Sequence, residues 1–69
     1  MSGLVNQNIG RIVKAKGLRP CRVESAAGMK RGVISRIITG KRKVYADEVV
    51  PIARALGVEL DILFEEVPA

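Results

Sequence analysis

Four glycines, Gly17, Gly28, Gly40 and Gly57, each fall just after a run of apolar residues spaced for a helix, and they cut the chain into pieces too short for any long element. A glycine just past the last helical residue can take the positive φ that ends a helix. Val5, Ile9, Ile12 and Val13 recur at i, i+4, i+7 and i+8, one buried helical stripe, and Lys16 supplies a cation where the helix dipole favours one. The spacing predicts a first helix from about Leu4 to Lys16. Pro20 suits the first turn of a second helix, with Val23, Ala26 and Ala27 inward and an end before Gly28. Gly28-Met29-Lys30 reads as a tight turn, Gly28 left-handed and Met29 an apolar plug beneath it. A third helix is expected from about Arg31 to Thr39-Gly40. Gly32 in its interior and four β-branched core residues weaken it, so tertiary packing must hold it. Val49, Ile52, Ala53 and Leu56 signal a fourth helix with Asp47 as N-cap, which leaves Pro51 near the first turn with room for a kink. Leu60 to Phe64 gives a fifth, with Leu60, Leu63 and Phe64 sharing a face. No strand pattern or repeat interrupts this reading, which is of one all-α domain over residues 1–69.

A chain of 69 residues buries only about 60% of the surface its unfolded form exposes, so its stability margin is expected to be thin and self-pairing would help. Two aromatics and no His leave few catalytic or ligating groups. Cys21 has no His to activate it, and no carboxylate pair or metal-ligand cluster is evident, so neither an enzyme nor a cofactor is expected. The lone Cys fits a reducing compartment and reads as a small, partly buried side chain. No apolar run approaches the roughly 20 residues of a membrane span and the first residues lack the order of a secretion signal, so a soluble cytoplasmic protein is the expectation.

Charge is strongly polarised. Residues 11–43 carry eleven of the twelve Lys and Arg against the single acid Glu24, a balance of +10, whereas residues 44–69 carry Arg54 against six acids, a balance of −5. A basic surface of this kind displaces counterions from phosphates, while the acidic remainder opposes indiscriminate sticking. The charge is densest from Lys30 to Lys43, with six basic residues and no acid. On a helical wheel, Arg31, Gly32, Ser35, Arg36 and Thr39 share an arc of about 140°, opposite Val33, Ile34, Ile37 and Ile38. One face suits a core and the other a polar polymer.

Two short helices joined by Gly28-Met29-Lys30, the second amphipathic and basic, make a helix-turn-helix. From Ile9 to Phe64 the chain resembles the phage-repressor and Cro family of xenobiotic-response-element-like regulators. The resemblance is carried by Gly17-Leu18, Gly28-Met29, Ile34-Ser35-Arg36-Ile37, Gly40-Lys41-Arg42, Ile52 to Val58, and Leu60 to Phe64. Each fragment alone is weak, but their joint order and spacing are specific. The resemblance implies a compact five-helix lambda-repressor-like DNA-binding domain with a central helix-turn-helix. It implies a sequence-specific regulator of double-stranded DNA, expected to be a repressor from a prophage or other mobile element.

By position in the family, Lys30, Arg31, Gly32, Ser35 and Arg36 would reach base edges in the major groove. Arg31 and Arg36 are the expected readers of guanine, because a guanidinium fork donates two bonds to O6 and N7. Thr39, Gly40, Lys41, Arg42 and Lys43 would run beside the sugar-phosphate backbone as phosphate contacts. Relatives clamp another phosphate at the start of helix 2, commonly through a Gln where this chain has Pro20, so Arg19, Arg22 or the Cys21 amide would have to replace it. At Gly32 three readings stay open: close backbone approach, reduced specificity, or tolerance on an exposed face.

Two further departures concern packing. Val13 and Ile38 stand where many relatives pair an Arg with a Glu, an exchange of a buried ion pair for hydrocarbon that the core should survive. Glu24 stands where relatives favour Ala, and is expected to snorkel outward or pair with an Arg; failing both, packing at the turn is strained. A homodimer on two half-sites would draw on Leu60, Ile62, Leu63, Phe64 and Val67, unless these complete the core. A protein-binding module of antitoxin or anti-repressor type, with weakened DNA binding and a second protein partner, is the alternative.

Overall fold

A computed structural model describes residues 3–65. Five helices follow one another: α1 (Gly3–Lys16), α2 (Pro20–Ala27), α3 (Val33–Ile38), α4 (Ala46–Leu56) and α5 (Leu60–Leu63). No strand occurs among the described residues, and none of their helices is long and apolar enough to cross a membrane. The all-α, five-helix architecture is the one expected.

The stripe of α1 is fully inward, with Val5, Ile9, Ile12 and Val13 all buried. They join Val23 of α2, Ile34 and Ile37 of α3, Val44, Val49, Ile52, Ala53 and Leu56 of α4 and its approach, and Leu63 of α5 in one core. α2 packs on α3 and α4, α1 on α3 and α5, and α4 on α5. Met29 packs against this core from beneath the turn, as expected. Val13 is buried and Ile38 half-buried, so hydrocarbon does fill the place of an ion pair. α1 and α3 approach closely there: a Cβ on Gly10 would stand 3.3 Å from Cγ2 of Ile38.

Two asparagines flank the stripe of α1 and tie the helices together. Asn6 Nδ2 donates to the carbonyls of Ile37 and Arg42, each at 2.8 Å. Asn8 Nδ2 donates to those of Leu63 and Glu65 at 2.8 and 2.7 Å. At the far end of α1, Lys16 Nζ donates to the Leu56 carbonyl at 2.9 Å, placing a cation on the C-terminus of α4.

Several expectations need correction. α3 begins at Val33, not Arg31; Arg31 and Gly32 belong to the turn, and Gly32 is the N-cap at φ +87°, so its glycine is required by the backbone and does not weaken a helix interior. Ala26 is exposed, and its inward place is taken by Glu24. Helix α4 has Tyr45, not Asp47, as N-cap, because the Glu48 carboxylate turns back to accept from the Tyr45 amide at 3.0 Å. Pro51 therefore lies inside α4, two residues deeper than the sequence suggested. α5 ends at Leu63, with Phe64 as its C-cap. Leu60, Leu63 and Phe64 are not buried alike: Leu63 is wholly buried, whereas Leu60 and Phe64 are each 41% exposed. Cys21 is exposed, not partly buried.

Candidate nucleic-acid interface

α2 ends at Gly28, whose left-handed conformation (φ +71°) redirects the chain, and the Met29 amide donates back to the Glu24 carbonyl at 2.9 Å. The connection continues through Lys30, Arg31 and Gly32, and the Val33 amide donates to the Lys30 carbonyl at 3.3 Å. Five connecting residues thus separate α2 from α3, two more than the sequence suggested. The expected base readers divide accordingly. Lys30 and Arg31 are exposed on the turn, Gly32 is half-buried at the helix start, and Ser35 and Arg36 are exposed on α3 itself. The opposite side of α3 carries Ile34 and Ile37, both at zero exposure, and these decide which side of the helix faces inward, leaving Ser35 and Arg36 toward solvent.

Glu24 neither snorkels nor finds an Arg. It is 4% exposed, and its Oε2 accepts a 2.8 Å hydrogen bond from the Ile34 amide, so the acid expected to strain the corner supplies a cap to the next helix. The carboxylate sits at the end of α3 where the helix dipole favours negative charge.

At the start of α2, Arg19 is the N-cap, its carbonyl accepting from the amides of Arg22 and Val23 at 3.0 and 3.2 Å. Arg19, Cys21 and Arg22 are exposed, which leaves the two guanidinium groups available at this helix start.

In the segment after α3, several of the residues expected to meet phosphate make hydrogen bonds within the protein. Gly40, at φ +78°, closes the helix, with its amide donating to Ile37 at 3.1 Å and that of Lys41 donating to Arg36 at 2.8 Å, so these two N–H groups are spent on the cap. The Thr39 hydroxyl turns back to the carbonyls of Ser35 and Arg36, at 3.0 and 3.2 Å. Arg42 is held by Glu48: Nη1 and Nη2 donate to Oε1 and Oε2 at 2.9 and 2.8 Å, and the guanidinium lies 5.5 Å from the centre of the Tyr45 ring. Hydrogen bonding from Arg42, then from the Tyr45 amide, holds the Glu48 carboxyl below its ordinary value against the opposing effect of burial, and the Arg42 pKa is raised in turn by the bond to Glu48. Lys41 and Lys43 remain exposed.

Seven cations, Arg19, Arg22, Lys30, Arg31, Arg36, Lys41 and Lys43, are therefore exposed on the helix-turn-helix and the loop after it. Arg42–Glu48 is the one ion pair found among the described residues, and it does not engage them.

Asn6 and Glu24 shape this surface without lying on it. Asn6 holds the end of α3 and the following loop through the Ile37 and Arg42 carbonyls, and Glu24 holds its beginning. Asn6 and Asn8 were not anticipated from the sequence; the signal that could have found them is a polar amide on each edge of an apolar stripe, a place where a side chain can satisfy main-chain groups of neighbouring elements. Of the apolar residues set aside for self-association, Leu63 is lost to the core and Ile62 is half-buried against it, which leaves Leu60 and Phe64 exposed; Val67 lies outside the described residues.

An all-helical domain with an open basic helix-turn-helix is a DNA-binding architecture. A sequence model of the helix-turn-helix family matches residues 9–63, and the chain belongs to that family, in its phage-repressor and Cro branch. Among solved structures, it is similar to the crystal structure of the restriction-modification controller protein C.AhdI from Aeromonas hydrophila. The two share 27% sequence identity with a TM-score of 0.78, over 87% of this chain and 91% of that one. No curated protein sequence matches. Family and fold together make the chain a DNA-binding transcriptional regulator whose partner is double-stranded DNA.

Proposed function

We propose that the protein is a sequence-specific repressor of phage or mobile-element type that occupies an operator and excludes polymerase. In this reading α3 enters the major groove. Ser35 and Arg36 read base edges from the helix, Lys30 and Arg31 reach them from the turn, and the main chain at Gly32 approaches closely. The observation that carries the reading is the two-sidedness of α3: Ile34 and Ile37 are wholly buried, while Ser35 and Arg36 stand open to solvent with no acidic partner among the described residues. Arg19, Arg22 and the Cys21 amide at the start of α2, with Lys41 and Lys43 after α3, supply phosphate contacts. Thr39, Gly40 and Arg42 contribute indirectly, by shaping the loop that carries the two lysines.

A homodimer on DNA would pair through Leu60 and Phe64, with Ile62 beside them, and set the two copies of α3 about 34 Å apart to match one turn of duplex. The likeness to C.AhdI favours, as a second reading, control of a restriction-modification gene set over control of a prophage.

Selection of bound duplexes from a random pool tests the function. The expected result is a two-fold symmetric site containing guanine, with affinity falling by orders of magnitude between about 50 and 200 mM salt. Recovery of no preferred sequence would overturn the base-reading assignment.

A further inference from the structure

The recognition helix is six residues long, too short to persist by its own hydrogen bonds, so its position is imposed from outside. Its N-cap is Gly32, which has no side chain to offer, and the cap position makes no side-chain hydrogen bond. In most helices the capping side chain accepts from the amide of the second or third helical residue. Here the amide of the second residue, Ile34, is bonded instead to a carboxylate from the preceding helix, at 2.8 Å and out of solvent.

That carboxylate belongs to Glu24, which holds the corner from two sides. Its main-chain carbonyl accepts from Met29 and fixes the exit from α2, while its side chain accepts from Ile34 and fixes the entry to α3. The apolar contacts of Ile34 and Ile37 decide which side of α3 faces inward, but dispersion contacts tolerate small slides and rotations. A charge-assisted hydrogen bond does not, because it weakens steeply with length and angle. Ser35 and Arg36 follow Ile34 directly, so any shift of the first turn is passed to the groups that would meet the bases.

We infer that Glu24 is a specificity-determining positioning residue: its bond to the Ile34 amide replaces the cap that Gly32 lacks and sets the depth and rotation at which α3 presents Ser35 and Arg36 to DNA. The inference rests on the reading that α3 faces the bases. Because the phosphate-contacting cations sit on other segments, loss of the bond lowers discrimination between sequences more than it lowers attraction to DNA as such.

The test compares the wild type with Glu24→Gln, which keeps an acceptor, and Glu24→Met, which keeps the volume without one. Each is measured for affinity to the selected operator and to a mixed-sequence duplex at fixed salt, at a temperature where melting curves show the protein folded. Glu24→Met is expected to lower the ratio of specific to non-specific affinity by about tenfold or more, with the non-specific affinity no lower than that of wild type; Glu24→Gln, which removes the same charge but keeps an acceptor, should hold that ratio within about threefold of wild type. An unchanged ratio in Glu24→Met, or an equal loss on both duplexes, would overturn the inference. If Glu24→Met does not fold, Glu24→Asp decides, because its acceptor is one carbon short: a reduced ratio supports the inference and an unchanged one refutes it. Arg36→Ala in the same assay separates the two ideas. If it lowers the ratio and the Glu24 variants do not, α3 reads bases and Glu24 does not position it; if it too leaves the ratio unchanged, the base-reading assignment itself has failed.

Discussion

The guanidinium of Arg42 and the carboxylate of Glu48 meet fork to fork, 2.9 and 2.8 Å apart, across the joint between the helix-turn-helix and α4. The same carboxylate accepts from the Tyr45 amide, and the same guanidinium lies against the Tyr45 ring, so three residues form one clasp. The clasp matches the charge of Arg42 within the protein, and in the proposed reading it leaves Lys41 and Lys43 as the cations of this loop that meet phosphate.

Breaking the clasp should destabilise the fold modestly and in a pH-dependent way. The two side chains keep 28% and 21% of their exposure, so solvent screens the pair and Glu48→Gln should cost about 1 kcal/mol at neutral pH. The Glu48 carboxyl titrates below its ordinary value in the folded protein, so its contribution is full above the unfolded value, near pH 4.5, and is lost as pH falls through the lower folded value. Urea denaturation of wild type and Glu48→Gln should therefore give a constant difference above about pH 5 that shrinks toward zero in more acidic buffer. A difference that grows on acidification would contradict the geometry.

The sequence made the helices legible because Val5, Ile9, Ile12 and Val13, or Val49, Ile52 and Leu56, repeat at a period that only a helix buries on one side. It misplaced the start of α3 because Arg31 and Gly32 fit the same wheel, while the left-handed turn at Gly32 and the bond from the Ile34 amide to Glu24, ten residues away, are features that no local pattern reveals. The inside and outside of α5 were illegible for a related reason: four residues make barely one turn, so Leu60 and Leu63 look alike until α1 and α4 are packed against them. The charge run from Lys30 to Lys43 located the basic surface but could not show that Arg42 is matched to an acid six positions on.

Asn8 is wholly buried, and its side-chain amide satisfies the main-chain carbonyls of Leu63 and Glu65 while its oxygen accepts from Arg11 at 3.2 Å. Asn8→Ala would leave the Leu63 carbonyl buried without a donor and should cost about 1–3 kcal/mol in thermal or urea unfolding. Asn8→Asp should be worse at neutral pH, because it aims a carboxylate at two carbonyl oxygens, and should recover in acid as the carboxyl takes up a proton. Equal stability of the two variants at every pH would show that the amide donors are not what holds α5 to α1.

Leu63 and Phe64 are neighbours in sequence with opposite tasks. Leu63→Ala should open a cavity at the junction of α1, α4 and α5 and lower stability by about 2–4 kcal/mol. Replacing the exposed pair, as Leu60→Ser with Phe64→Ser, should leave the fold within about 1 kcal/mol of wild type but weaken self-association in sedimentation and cooperative binding to a two-half-site operator. If the double variant associates like wild type, the dimer is built from another surface.

Arg36 and Lys41 lie on either side of the end of α3, both exposed, and the proposed function gives them different tasks, reading and anchoring. Arg36 has a fork that can satisfy guanine O6 and N7, so Arg36→Ala should relax preference at one base pair in each half-site at a cost of about 1–3 kcal/mol on the selected operator and much less elsewhere. Lys41 offers a point charge from a loop in which the Gly40 and Lys41 amides are already spent on the helix cap, so Lys41→Ala should weaken binding to every sequence alike and lower the salt slope by about one. Arg42→Ala provides the internal comparison: its charge is already matched by Glu48, so the slope should hold while stability falls. Salt titrations of the three variants on operator and mixed-sequence duplexes check all of this, and a slope that drops for Arg42→Ala as it does for Lys41→Ala would mean that DNA pulls the guanidinium out of its clasp.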